Sequence, residues 1–334
     1  MRVWQLTDSF GIDRLELLEL PDPALAPREV RVAVRAASLN YRDVLMVDLG
    51  VSIGPVPLPF RPCSDAAGEV VEVGSAVTRV TVGDRVAPIF FRRWLEGDVL
   101  PPAAYGSVLD GALADQMVLH EDGLVHLPEH LGDEEGSTIG CAAVTSWHAL
   151  VTRGQVRPGE TILTQGTGGV SIFALQFALM AGARVIVTSS SDEKLERVRA
   201  LGAWETINYV TTPDWAERAV ELTGGVGVDH VVEIGGLGTM EQSFKAARTG
   251  GRVSLIGVLT GFETLVNPHP AMVKGLTVQA IMVGSRAMFE DMNRAIAVTG
   301  MKPVVDSVFP FDDAPAALRH LQDAGHIGKV VIAV

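Results

Sequence analysis

Cysteine is nearly absent from this chain: its 334 residues include two, Cys63 and Cys141. Two thiols cannot build a disulfide framework or a four-cysteine zinc site. Basic runs are absent too, and the formal net charge is −13. That argues against nucleic acid or an anionic membrane as the main partner. No apolar run reads as a membrane span; the stretch from Val170 to Val187 is broken by Gly182 and Arg184. No signal peptide opens the chain, since Met1-Arg2-Val3-Trp4-Gln5 runs straight into a strand-like segment. Internal repeats and low-complexity tracts are missing. The expectation is a cytoplasmic globular protein acting on a small molecule, with length for two domains.

What is present is a glycine turn. Thr161-Ile-Leu-Thr-Gln-Gly-Thr-Gly-Gly-Val-Ser171 is an apolar strand, then glycines, then the apolar helical pattern Val170 to Met180. Gly166 allows a tight turn. Gly168, followed by Gly169 and Val170, lets backbone approach a pyrophosphate at a helix N-terminus, where free N–H groups and the dipole favour anions. Ser171 stands at the third glycine position, so the motif is imperfect. A second strand, Arg184 to Thr188, follows after one helix length, as a βαβ unit requires.

An acid is also missing where it would matter. NAD sites place Asp or Glu at the end of that second strand, on the ribose hydroxyls. Here Thr188 is followed by Ser189, Ser190 and Ser191. Asp192 and Glu193 read as first-turn acids of the next helix, with Ser190 and Glu193 as a capping box. Lys194 follows, either reaching a 2′-phosphate or standing as a solvated helix lysine.

Residues up to about 125 show short β-rich runs between Gly and Pro turns, such as Val30 to Ala36, Ala67 to Val73, Arg85 to Ile89 and Gln116 to Leu119. From about 134, helices and strands alternate. Helices fit Ser137–Leu150, Val170–Ala181, Asp192–Leu201, Asp214–Thr223 and Met240–Ala247. Strands fit Thr161–Thr164, Glu205–Asn208, His230–Glu233 and Arg252–Ile256. Such alternation implies a parallel sheet. A terminal strand, a helix (Ala314–Ala324) and the strand Lys329 to Val334 are expected to rejoin the first domain.

Several short motifs, in order, carry a family resemblance. They are Ala37-Ser38-Leu39-Asn40-Tyr41-Arg42-Asp43, Ala67-Gly68-Glu69-Val70-Val71-Glu72-Val73-Gly74, Val82-Gly83-Asp84-Arg85-Val86, Asp110-Gly111-Ala112-Leu113-Ala114-Asp115, Gly166 to Val170, and Gly250-Gly251-Arg252-Val253. Over essentially its whole length the chain resembles the medium-chain dehydrogenase/reductases, in their zinc-free quinone oxidoreductase branch. The resemblance implies an α/β protein: a GroES-like irregular β domain (1–124 and 287–334) and a Rossmann doubly wound parallel-sheet domain (125–286), with a nicotinamide cofactor in the cleft between them. Zinc-dependent members hold the metal with cysteine, histidine and cysteine; those positions are Asn40, Ser64 and Cys141 here. One soft ligand does not make a zinc site, so no metal is expected.

Without a Lewis acid, alcohol oxidation is difficult, whereas hydride addition to a quinone or an α,β-unsaturated carbonyl remains feasible. The resemblance puts Asn40, Tyr41 and Asp43 near the nicotinamide. Asn40 would bond the cofactor or a developing oxyanion. Tyr41 is a proton donor or a packed aromatic, and Asp43 orients a neighbour. Phe90 to Asp110, rich in aromatics, reads as a lid or pocket wall, or as a disordered loop. The resemblance further implies that Ser189, Lys194 and Tyr209 grip the 2′-phosphate of NADPH and that Thr145 faces the nicotinamide. Gly257, Val258 and Leu259, with Val283 to Ser285, would line its side, and Arg286 would neutralise a cofactor phosphate. The strand Thr277 to Val283 would pair across a twofold axis to form a homodimer. Alternatives are a zinc-dependent alcohol dehydrogenase with unusual ligands and a non-catalytic nucleotide-binding member.

Overall fold

The structure is a computed structural model that describes residues 1–51, 56–98, 103–261 and 265–334. Its contacts divide the chain into two compact units, Met1–Val144 with Gly284–Val334, and Thr145–Val283. The division falls later than the change in sequence pattern near residue 125. The reason is local: Leu124–His126 pairs with Arg85–Pro88, and Asp133–Ser137 packs on the strands Glu29–Leu39 and Asp65–Val73.

In the first unit a seven-stranded sheet runs Val305–Pro310, Lys329–Ala333, Glu29–Leu39, Asp65–Val73, Arg85–Pro88, Leu124–His126, with Gln116–His120 also paired to Glu29–Leu39. Val30, Val32 and Val34 alternate inward, as a half-buried strand requires. From Ala36 to Leu39 every residue is buried, because Lys329–Ala333 pairs along that stretch. The chain's tail thus supplies an interior strand of this sheet. Leu6, Val30, Phe60 and Leu113 belong to one core cluster.

The second unit is a six-stranded parallel sheet in the order Glu205–Asn208, Arg184–Ser189, Thr161–Gln165, Val228–Glu233, Ala247–Leu255, Thr277–Ala280. In chain order this is 3-2-1-4-5-6, the doubly wound Rossmann arrangement. Thr161–Gln165 is buried throughout, as expected for a parallel strand covered on both faces. Strand order reverses between Thr161–Gln165 and Val228–Glu233, so the ligand crevice of this fold lies at their carboxyl ends.

Most elements fall within a residue or two of expectation, including the helices Gly169–Met180, Asp192–Ala200, Trp215–Leu222 and Met240–Ala246. Three differ. The helix expected over Ser137–Leu150 is an α-turn at Asp133–Ser137, then π-helical turns at Ile139–Ala143 and His148–Arg153 around Val144–Trp147. Small residues at 140, 142, 143 and 149 leave room for the wider turn. The strand expected from Arg252 starts at Ala247, where Gly250 and Gly251 had hidden its pattern. The strand expected over Thr277–Val283 stops at Ala280; Ile281 is buried.

Candidate functional site

The glycine turn is built as the sequence suggests. Gly166 has φ +69°, which favours glycine, and a Cβ there or at Gly168 would meet nothing within 4 Å. The turn is therefore an open cradle at the start of Gly169–Met180. Ser171 does more than fit the third glycine position: buried, it donates its hydroxyl to the carbonyl of Gln165 and ties helix to strand. Across the reversal point, Gln165 Nε2 donates to Glu233 Oε2 (2.7 Å), and its Oε1 accepts from Ile234 and Gly235 N–H. Glu233, fully buried, also accepts from Gly236 N–H and the Thr239 and Ser243 hydroxyls. Sequence reasoning missed Gln165 and Glu233; a glutamate ending an apolar strand was the available signal.

Ser189 ends the second strand, and its carbonyl accepts from Tyr209 N–H (3.0 Å), so both residues stand at neighbouring strand ends. Ser189 is buried, whereas Ser190 and Tyr209 are exposed. The helix cap is Ser191, not Ser190: Ser191 Oγ accepts from Lys194 N–H at 3.4 Å, placing Lys194 in the first turn. Asp192 is held by the Asn208 amide (2.7 Å). At the next two strand ends Gly257 passes so close that a Cβ would sit 2.0 Å from Ile234 O, with Val258 and Leu259 exposed beside it. Thr145 is buried. Val283 takes φ +48°, and its carbonyl accepts from His148 Nδ1 (2.8 Å).

Ser285 and Arg286 belong to the other unit. Ser285 caps the helix Arg286–Thr299 by accepting from Met288 N–H. Arg286, expected at a cofactor phosphate, instead donates to Asp122 O (3.0 Å) and lies 3.5 Å from both the Asp122 and Glu290 carboxylates. Two acids of its own unit already neutralise it.

Asn40 is the hub of a buried polar cluster. It caps the helix Tyr41–Leu49, and Asp43 Oδ2 accepts from its backbone N–H (2.8 Å). Its carboxamide faces a cation and a carboxylate: Lys329 Nζ donates to Asn40 Oδ1 (2.6 Å), and Asn40 Nδ2 donates to Asp65 Oδ2 (3.1 Å). Lysine only donates and carboxylate only accepts, so the amide orientation is fixed by chemistry. Lys329 also donates to Leu39 O (2.6 Å) and stands 3.8 Å from Asp65 Oδ2. Asp65 further accepts from Ser64 Oγ (2.8 Å) and Cys141 N–H (3.2 Å). Asp65 and Lys329 are almost completely buried. Burial raises the Asp65 carboxyl against the pull of Lys329, and burial likewise pushes the Cys141 thiol up. Asp43 is fully buried, and desolvation lifts its carboxyl to about 6 against the pull of Arg42. Tyr41 is exposed at 42% and is not the packed aromatic considered above.

The aromatic segment is a wall rather than a loose loop over its described part; residues 99–102 lie outside the described residues. Phe90, Phe91, Trp94 and Tyr105 are buried, Phe90 and Phe91 meet edge to face at 4.7 Å, and the Arg42 guanidinium lies over Phe90.

One unit with a Rossmann sheet and an open glycine cradle, and another, GroES-like, with a buried polar cluster, together define a nicotinamide-dependent dehydrogenase or reductase. The family described as alcohol dehydrogenase GroES-like domain matches residues 26–129, and that described as zinc-binding dehydrogenase matches 169–298. A zinc-type alcohol dehydrogenase-like protein of Schizosaccharomyces pombe is 44% identical, covering 97% of this chain and 96% of its own. The solved structure of an NAD-dependent alcohol dehydrogenase superposes with TM-score 0.93 at 35% identity, over 100% of both chains. That of Escherichia coli quinone oxidoreductase with NADPH gives 0.86 at 25%, over 100% of both. The chain belongs to the medium-chain dehydrogenase/reductase superfamily and is an NAD(P)H-dependent oxidoreductase.

Proposed function

We propose that this protein is an NADPH-dependent reductase that delivers hydride to a quinone or an α,β-unsaturated carbonyl without zinc. One observation carries the reading: the Lys329 ammonium is inside the cluster where zinc-dependent relatives would bind metal, bonded to Asn40 and near Asp65. The donor set does not fit zinc. Asn40 and Ser64 are weak ligands, the Cys141 thiol is held protonated by burial, and a resident cation repels a dication. Among the described residues, no group of three or more His, Cys, Asp or Glu side chains is arranged to hold a metal.

The cofactor fits. Gly166 and Gly168 leave space for pyrophosphate. Ser189, Lys194 and Tyr209 would grip the 2′-phosphate: Ser189 and Tyr209 stand at neighbouring strand ends, Lys194 is in the first turn that follows, and Asp192 is engaged by Asn208. Bound NADPH supplies the hydride. The chain supplies the rest: the second Nδ2 hydrogen of Asn40, in a carboxamide polarised by Lys329, would stabilise the oxyanion that forms as hydride reaches the β-carbon. Tyr41, exposed beside Asn40, donates the balancing proton. Asp43 holds the Asn40 backbone in place. We also place the protein in a reducing compartment and as a homodimer joined along Thr277–Ala280, an edge strand with exposed Val278.

The test is NADPH oxidation by a benzoquinone and an enone panel, in chelator, with metal analysis of the purified protein. Turnover without stoichiometric zinc is expected. Tightly bound zinc whose removal abolishes turnover overturns the reading in favour of an alcohol dehydrogenase.

A further inference from the structure

A polar cavity lies wholly within the β-rich unit and takes no part in the chemistry above. Its volume is about 700 Å³. Its wall is made by short backbone pairings: Tyr105 N–H donates to Phe90 O, Arg92 N–H to Ala103 O, and Gly111 N–H to Arg61 O, with Tyr105 bridged to Leu109. These bring Arg61, Arg92, Arg93 and Tyr105 to one cavity.

Two of these side chains are buried with a polar atom that has no hydrogen-bond partner. Arg61 is 6% exposed, its Nε has no hydrogen-bond acceptor, and the carboxylate nearest it, Asp110, stands off at 3.7 Å. Tyr105 is 5% exposed and its hydroxyl has no partner. Unsatisfied buried donors are costly, and a buried guanidinium most of all. Arg92 and Arg93 make no side-chain hydrogen bond or ion pair among the described residues. The acids on the wall do not cancel this charge. Asp122 is engaged by Arg28 and Arg286, and Asp110 is 73% exposed. Glu29, which lies near Tyr105 with Arg92, accepts from Ala26 N–H. In a chain of net charge −13, a cavity with three arginines short of acceptors is a local reversal of sign.

We propose that this cavity is a binding site for a phosphate-type oxyanion, held by Arg61 and Tyr105 from within and by Arg92 from the rim. The guanidinium fork matches two oxygens of a phosphate, and a phenol adds a neutral donor. The volume admits a small phosphate monoester as well as the free ion.

The experiment is calorimetric titration of the full chain, at constant ionic strength, with inorganic phosphate in one arm and glucose 6-phosphate in the other. Saturable binding in either arm is expected, with the tighter arm naming the source. Arg92→Ala should weaken it about tenfold and Tyr105→Phe about threefold. Arg61→Met should abolish it; because that substitution touches a buried site, the other two variants decide if it fails to fold. Lys194→Ala, in the other unit, must leave binding unchanged, which separates this site from the cofactor's 2′-phosphate position. No saturable binding in either arm, binding lost in Lys194→Ala, or unaltered binding in Arg92→Ala and Tyr105→Phe overturns the proposal.

Discussion

Asp43 shows how one buried carboxylate shapes stability. One of its oxygens caps Asn40, and the other, buried, has no hydrogen-bond partner. Its carboxyl, ordinarily at 3.8, sits at about 6 when folded. The folded protein therefore holds this proton more tightly than the unfolded chain does. Stability from this group falls as pH rises from 3.8 to 6 and stays lower above, by about 3 kcal/mol. Asp43→Asn, which keeps the capping oxygen, should be more stable than the parent at pH 8 and nearly equal at pH 4. Urea unfolding at both values checks this, and a gap that does not widen with pH refutes it. Lys329→Met leaves Asp65 buried without its cation and should cost about 3–5 kcal/mol. Lys329→Met with Asp65→Asn should recover part of that loss; a strictly additive double variant would contradict the coupling. Asn40 and Asp43 were legible from one short motif. Asp65 and Lys329 were not, because Lys329 lies 289 residues from Asn40 in the chain and a lone charge in an apolar strand has no periodic signature.

At the scale of elements, periodicity was informative where pattern and structure share a cause. The alternation in Glu29–Leu39 and the glycine turn after Thr161–Gln165 are examples. It failed where two small-residue turns widened a helix at 139–153, and at the serine run, where any of three residues could cap. Gly166→Ala should bring about 1 kcal/mol of backbone strain at φ +69°. With open space around it, the loss should fall on cofactor affinity more than on packing; fluorescence titration with NADPH beside a melting curve separates the two. The edge strand Thr277–Ala280 is the place to test assembly. Val278, 38% exposed, is the residue to change. Ile281, 5% exposed and bonded through its N–H to Leu255 O, is core, and a lysine there would damage the fold itself. Val278→Lys should convert dimers to monomers in light scattering at micromolar concentration, with the melting curve of each unit preserved. A parent protein already monomeric rules the dimer out.

For the whole molecule, cofactor choice is the property the two-unit design should make measurable. Lys194→Ala should erase most of a preference for NADPH over NADH of roughly ten- to over a hundredfold, the size of a charge-assisted contact of about 1.5–3 kcal/mol. Equal affinity of the parent for both cofactors would refute the assignment. Both units were visible as a change from turn-rich strands to strand–helix alternation; their meeting points in the chain were less so, since Leu124–His126 and Asp133–Ser137 look like the second pattern and pack with the first. The interior position of Lys329–Ala333 has a consequence for synthesis. Thr145–Val283 is one uninterrupted run and can fold as it leaves the ribosome, whereas the β-rich sheet waits for Lys329–Ala333, made after that run, to take its place between Val305–Pro310 and Glu29–Leu39. Lys329, the cation that orients Asn40, is made after the whole of Thr145–Val283. A nascent chain should thus gain a protease-resistant nucleotide unit before the Asn40 cluster is complete, and any polypeptide that stops short of Lys329 should lack the cation that orients Asn40.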